Sequence, residues 1–399
     1  MSNTTSGGYE NLISSYVQQG LRVTPIFQKL ASFREEAKLQ NGVSVNRPKV
    51  SSSFGKGATY TANTDITATP WTYTQELLTI NRSNAHLIEI DTTEEKALTV
   101  ASNNKPERYF AKDIMNAMKD SLDKDYLDEI ANAGFDIDAA DFGGSALSPI
   151  DVTTTPIEEV LSKALSEVSS SRRNSNRGQY AIFDNYLLHY LRMRGLALGF
   201  NAADKIMMGG WTGADFMGAN IVLSENIPWT LVLTLTDVAV ANDTFTIDGV
   251  TCTAKATPSA AGEFDVEASA TAQGDTIAAL INGSGTPSAD TYIELAGADR
   301  DQWDTRGMTA TNNAGVVTIT GYGRVTFSES LTNGSFGNLA LKYKVGNIGD
   351  VDMVAQLNPY VETAKQVKNF GRVLKGLTLW GTKTFSDGVK NGCSVLIKG

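Results

Sequence analysis

"ERYFAKDIMNAMKDSLDKDYLDEIANAG", residues 107–134, is the longest periodic segment in the chain and the one on which the fold turns. Phe110, Ile114, Met118, Leu122, Tyr126 and Ile130 recur at intervals of four, with Met115 and Leu127 beside them, which places an apolar stripe along one helix face. Asn103 or Asn104 is placed to cap the start, Pro106 suits a first-turn position, and Gly134 supplies a stop. The spacing predicts one helix over 107–133, roughly 40 Å long at about 1.5 Å per residue. Typical helices run about 11–12 residues, so this one is a spine for whatever packs on it.

Downstream of the spine, "FDIDAADFGGSALSPIDVTT" reads as a loop. Thr155, Pro156 and Glu158 then combine an N-cap, a first-position proline and a capping-box acid. Ile157, Val160, Leu161, Ala164, Leu165 and Val168 follow on one face. "QYAIFD" (179–184) predicts a buried strand, and "NYLLHYLRMRG" a short helix that Asp184 caps. "GADFMGANIVLSENIP", 213–228, closes this unit with a hairpin and a strand.

Upstream, Tyr9–Leu39 carries two apolar stripes broken at Pro25: Leu12, Ile13, Tyr16 and Val17, then Ile26, Phe27, Leu30 and Phe33. Short helices of this kind are marginal without a neighbour, so the segment is expected to be a docking arm. Residues 41–75 are rich in Gly, Ser and Thr and sparse in apolar residues, which predicts an extended β-ribbon. "HLIEID", 86–91, predicts a true strand.

Composition shifts at Trp229. Residues 229–340 hold 4 basic residues against 13 acidic ones, a balance of −9 within a net charge of −10. "DTFTIDGVTCTA" alternates apolar residues around Asp248-Gly249, a hairpin signal. "DTIAALING" predicts a short helix with Asp275 as cap and Gly283 as stop, and "TYIELAG" and "AGVVTITGYGRVTFSE" predict further strands. From "GDVDMVAQLNP" onward the mixture of apolar and basic residues returns, so 229–340 is expected to be a β-rich insertion in an exposed loop.

Little in the sequence points to catalysis. There are 2 His, His86 and His189, in unrelated contexts, and 2 Cys, Cys252 and Cys393, which cannot form a disulfide framework. No metalloprotease, phosphate-loop, dinucleotide or nucleophile-elbow motif occurs. His189 and Cys252 are expected to serve packing. Asp136, Asp138 and Asp141 have the D-x-D spacing of a calcium loop but lack its glycine and distal Glu, so no metal or other cofactor is expected. The start, "MSNTTSGGYENL", has no secretion-signal pattern, and no apolar run is long enough to span a bilayer. Arg172, Arg173 and Arg177 form a small basic patch, as do Lys365, Lys368, Arg372 and Lys375. A nucleic-acid reader would show a basic domain with interleaved aromatics, so at most these patches face packaged nucleic acid or an acidic neighbour.

Taken in order, these pieces resemble the major capsid proteins of tailed bacteriophages, the Hong Kong 97-type α+β fold. The arm at 1–43, the ribbon at 44–80, the spine helix at 107–133 and the helix–strand–helix at 156–191 all have counterparts there. So do "GADFMGANIVLSENIP" and "DMVAQLNPYVETAK…RVLKGLTLWGTKTF". The resemblance implies a peripheral domain from 81–148 and 380–399, an axial domain from 149–228 and 341–379, and a β-rich inserted domain at 229–340. It implies a self-assembling, non-enzymatic subunit of an icosahedral shell around double-stranded DNA. Expected partners are copies of the chain in hexamers and pentamers, a scaffolding protein, a portal, decoration proteins and non-specifically bound DNA, with no membrane. The expected location is the virion, after the host cytoplasm. Inter-subunit contacts are expected at Ile13, Phe27, Phe54, Lys56, Tyr60, Trp71 and Tyr73, and DNA-facing charge at Arg172, Arg173 and Arg177. Two alternatives are an encapsulin-like nanocompartment shell, which shares the fold, and a β-rich surface or adhesion protein. The second would be exported and β throughout, which the spine helix opposes.

Overall fold

A computed structural model describes residues 25–35, 43–50, 73–91, 107–170, 178–198, 215–216, 218–285, 287–288, 291–365, 371–386 and 389–399. In chain order the elements begin with α1 (Phe27–Leu30), β1 (Ser44–Val50), β2 (Tyr73–Thr79), β3 (Arg82–Asp91), α2 (Glu107–Asp128) and β4 (Phe135–Ile137). Next come α3 (Ile157–Ser170), β5 (Gln179–Phe183), α4 (Asn185–Leu198), β6 (Asp215–Phe216) and β7 (Ala219–Leu223). The chain continues through β8 (Pro228–Leu235), β9 (Thr244–Ile247), β10 (Val250–Lys255), β11 (Glu263–Asp265), α5 (Ala270–Asn282) and α6 (Gly297–Thr305). It closes with β12 (Thr309–Asn313), β13 (Val316–Tyr322), β14 (Phe327–Glu329), β15 (Gly334–Phe336), β16 (Ala340–Asn347), β17 (Asp352–Lys365), β18 (Gly371–Lys383) and β19 (Gly392–Lys398).

The described residues fall into two compact units. The first comprises those up to Leu122 together with Val351–Phe385, the second Asp123–Asp350 with Ser386–Gly399. In the first unit, β17, β18 and β3 form an antiparallel sheet in that order. The spine stripe explains its packing: Ile114 and Met118 are buried against Ile90 of β3 and Leu374 of β18. The helix lies so close to β18 that a Cβ at Gly376 would collide with Met118 and Ile114. β1 and β2 pair as a separate two-stranded ribbon, in register from Ser44↔Thr79 to Val50↔Tyr73.

The second unit is organised by β16. Its path of hydrogen-bonded strands runs β12-β13-β8-β16-β5-β7-β6, with β15 beside β8, β19 beside β16 and β4 beside β19. A smaller sheet, β11-β10-β9-β14, accompanies it, with Phe245, Phe264 and Trp303 fully buried. β16 is covered on both faces over its second half, where Tyr343 through Asn347 are all buried. That leaves Lys344 inside the core. Its Nζ lies 3.1 Å from Asp350 Oδ2, and both side chains are 2% exposed. The approach is off the line of a hydrogen bond, so the contact is an ion pair, supplemented by the Tyr126 ring 4.5 Å from Nζ. Tyr180 OH donates to Asp350 Oδ2 at 2.8 Å and Tyr126 OH to Tyr180 OH at 2.9 Å. Burial first, and then the Asp350 charge, pushes both phenols well above the ordinary tyrosine range, which keeps them protonated donors.

Local expectations hold where one segment decides the matter. The spine spans Glu107–Asp128 and continues as a 3-10 turn to Asn132. Gly134 then passes so near Val389 that its N–H donates to the Val389 carbonyl at 2.7 Å. The Asp248-Gly249 turn has φ of +52° and +83°, the pair of positive values such a hairpin needs. Asp184 caps α4, accepting from the Leu187 N–H at 2.8 Å.

β17 and β18 join β3 in the first unit, whereas β19 pairs with β16 and β4 in the second, because strand partners are chosen by long-range register. Within 229–340, β8, β12, β13 and β15 extend the same sheet as β5 and β7. Two local expectations are corrected. Helix α5 starts at Ala270, not near Asp275, because Ser269 accepts from the Ala272 N–H at 3.2 Å and caps it. "TYIELAG" makes one isolated bridge, Phe264↔Tyr292, in place of a strand, and helix α6 follows.

Removing one partner of the buried pair strands the other charge in the core. Lys344→Met is expected to cost about 3–5 kcal/mol of stability, read from urea unfolding of the unassembled subunit.

Candidate functional site

Neither cysteine is an activated nucleophile. Burial first, then Asp299, raises the Cys252 thiol; burial, then Asp136 and other carboxylates, pushes Cys393 up to about 12. His86 lies on β3 of the first unit and His189 on α4 of the second. His189 is exposed, with its ring 6.0 Å from that of Tyr190, contrary to the expected packing role. The buried face of α4 is formed by Leu187, Leu188 and Leu191, and position 189 turns away from it.

The acidic loop after the spine is structural. Asp138 Oδ1 accepts from the Ala140 N–H at 2.8 Å and Oδ2 from the Leu147 N–H at 2.5 Å; Asp141 accepts from the Asp138 N–H at 3.3 Å and faces Lys163 at 3.6 Å. These carboxylates cap a 3-10 turn. Among the described residues, no group of three His, Cys, Asp or Glu is placed to hold a metal ion. No helix among them is long and apolar enough to cross a membrane.

What the fold does present is a set of extended surfaces. The base of the β1–β2 ribbon is fastened to its own unit. Leu78 is fully buried with Val354 and Phe385, and Val45 and Ile80 pack on them. Arg47 reaches Asp352 at 3.3 Å and stands 4.9 Å from the centre of the Phe385 ring. Beside that anchor, the apolar side chains of Val43 and Leu77 are 68% and 48% exposed. Tyr73 pairs with Val50 as the last described rung. Phe54, Lys56, Tyr60 and Trp71, which the sequence places further along the ribbon, lie outside the described residues, as do Ile13, Arg172, Arg173 and Arg177. Phe27 is described and is 5% exposed, packed 6.4 Å from the Phe33 ring. Its helix is held in place by the Ser32 N–H donating to the Val351 carbonyl at 2.8 Å and the Met353 N–H donating to the Ser32 carbonyl at 2.9 Å. The ring is packed within its own chain.

The acidic segment is tied into its unit by contacts that sequence reading missed. β8 enters it and β16 leaves it side by side, with Thr230↔Ala340 and Trp229↔Leu341 in register. Tyr322 OH donates to Asp128 Oδ2 at 2.6 Å, at the end of α2. Lys124 Nζ donates to the Thr305 carbonyl at 2.9 Å and lies 5.3 Å from the Tyr322 ring centre. The alternating charges of "DKDYLD" gave no sign of these long-range partners.

No protein-family model and no curated protein matches the sequence. Solved structures do. The chain is similar to a structure from Mycobacterium phage Che8, with a TM-score of 0.53 at 13% identity over 98% of both chains. It is similar to the capsid structure of the Cyanophage P-SCSP1u, with a TM-score of 0.51 at 12% identity, covering 100% of this chain and 96% of that one. It is also similar to the asymmetric unit of the bacteriophage PhiM1 mature capsid, with a TM-score of 0.50 at 10% identity, covering 97% of this chain and 91% of that one. The fold is thus a mixed α+β fold similar to that of phage capsid structures.

Because both thiols are buried and held protonated, Cys252 and Cys393 are expected to resist Ellman's reagent at pH 8 in the native subunit and to react together in denaturant.

Proposed function

We propose that the chain is a major capsid subunit of a tailed bacteriophage, which assembles with copies of itself into the icosahedral shell around the phage's double-stranded DNA. The observation that supports this most is the likeness of fold over 97–100% of the chain to phage capsid structures. Likeness to phage capsid structures favours a virus shell over a bacterial nanocompartment.

The physics of the surfaces is consistent with this reading. An anchored β-ribbon with exposed Val43 and Leu77 gains most by lying on another protein, and in a closed symmetric assembly one such contact is repeated by every subunit. On this reading the ribbon residues Phe54, Lys56, Tyr60, Trp71 and Tyr73, with Ile13 of the arm, contact neighbouring subunits. Arg172, Arg173 and Arg177 face packaged DNA. The subunit is not an enzyme; it works in the virion, as hexamers and pentamers built with a scaffolding protein, a portal and decoration proteins. Residues 229–340 are an insertion in the shell fold. Their balance of −9 lies on the outer face, where like charge keeps particles apart.

The ribbon carries the sharpest test. Replacing 51–72 by a short Gly-Ser turn is expected to leave the subunit folded, with its native circular dichroism and thermal transition. It is expected to abolish fast-sedimenting particles in a sucrose gradient. Particles of normal yield and size from this variant would remove the ribbon from the assembly contacts.

A further inference from the structure

Sheet edges carry backbone N–H and C=O groups that pair with any extended chain, and proteins blunt them in recognisable ways. In the second unit, most edges are blunted by shortness: β6 has two residues, and β4, β11, β14 and β15 have three each. β12 is different. It ends the large sheet, has five residues, and its sequence "TATNN" carries neither a charge nor a proline.

On the side of β12 away from β13, a side-chain amide occupies the place of a strand. The Ala310 N–H donates to Asn282 Oδ1 at 2.8 Å, and Asn282 Nδ2 donates to the Ala310 carbonyl at 2.8 Å. Those are the two bonds a neighbouring strand would make with that residue. On the same side the Met308 N–H donates to the Trp303 carbonyl at 3.1 Å. The far end is held as well: Asn312 Nδ2 donates to the Thr271 carbonyl and to Asp275 Oδ1, each at 2.8 Å. Asn282 is the last residue of α5, and Thr271 and Asp275 belong to its first half. The helix is therefore tied to β12 through Asn282 at its C-terminal end and through Thr271 and Asp275 in its first half. It sits so close that a Cβ on Gly274 would collide with the Asn312 side chain.

We infer that Asn282 and helix α5 guard the β12 edge against strand addition by a second copy of the chain. Strand pairing is nearly independent of sequence, and two antiparallel "TATNN" edges would meet without charge repulsion. Copies of the chain are the strands present at highest concentration around a growing shell, so this choice of partner rests on the proposed capsid role.

The test compares full-length Asn282→Ala with the double variant Asn282→Ala/Ala310→Pro. Proline at 310 removes an N–H that points off the sheet, a position where edge strands tolerate it, and it blocks a new strand. The single variant is expected to show a several-fold rise over wild type in fibrous or amorphous sheet-rich material, read by sedimentation, thioflavin fluorescence and electron microscopy. The double variant is expected to return to the wild-type level although its melting temperature stays lowered. A single variant that associates no more than wild type would overturn the inference. So would a double variant that aggregates as much as the single one, since general instability would then be the cause. The comparison is with wild type whatever wild type itself assembles into, so failure of the capsid reading would show separately, as an absence of closed particles.

Discussion

The ion pair between Lys344 and Asp350 is the constraint around which the second unit is arranged. Burying two charges costs several kcal/mol each unless their partners are in place. Here four separate segments must meet to supply those partners: Tyr126 from the end of α2, Tyr180 from β5, Lys344 from β16 and Asp350 from the turn that follows. Gly346 and Gly392 belong to the same requirement, since a Cβ at either would press on the Asp350 carboxylate, at 2.9 and 3.2 Å. The network thus specifies where β16 lies, and β16 is the strand that pairs with β8, β5 and β19.

That strand also explains how so foreign a segment is carried. The acidic stretch begins in β8 and returns through β15 to β16, so its entry and exit are neighbours in one sheet. Its first and last strands share the core of the unit: Trp229, Leu231 and Leu233 are fully buried or nearly so, as are Leu341 and Tyr343. Asp237, Asp301, Asp304 and Glu329 of the stretch are exposed, whereas Asp243 is buried and accepts from the Thr332 and Val240 N–H groups at 2.9 and 2.8 Å. The composition changes at Trp229, but the hydrogen-bonded sheet does not.

Features decided within one segment were legible in the sequence. The stripe from Ile114 to Ile130, the Asp248-Gly249 turn and the Asp184 cap each depend on residues a few positions apart. Features decided by distant partners were not. Val373 and Leu374 of β18 would suit either group of strands, and nothing local says that Ile90 is the partner of Arg372. The apolar stripe of Ile26, Phe27 and Leu30 was correct as a stripe; periodicity does not say whether a stripe is buried in its own chain or in a neighbour. Lys344 is the clearest case, since a charged residue in a strand suggests solvent until Asp350 and two tyrosines are seen around it. Ser269 caps the helix because its hydroxyl accepts from the Ala272 N–H, whereas the Asp275 carboxylate is engaged by Asn312 Nδ2 at 2.8 Å.

On the proposed capsid reading, the surfaces of the chain are completed by its own copies. Electron cryo-microscopy of the purified full-length chain, across ionic strengths, tests that most directly. The account predicts closed particles whose repeating density, in rings of six and five, accommodates both compact units, with the β1–β2 ribbon lying on an adjacent subunit. A monodisperse monomer in every condition, or an assembly in which the ribbon touches no neighbour, would contradict it.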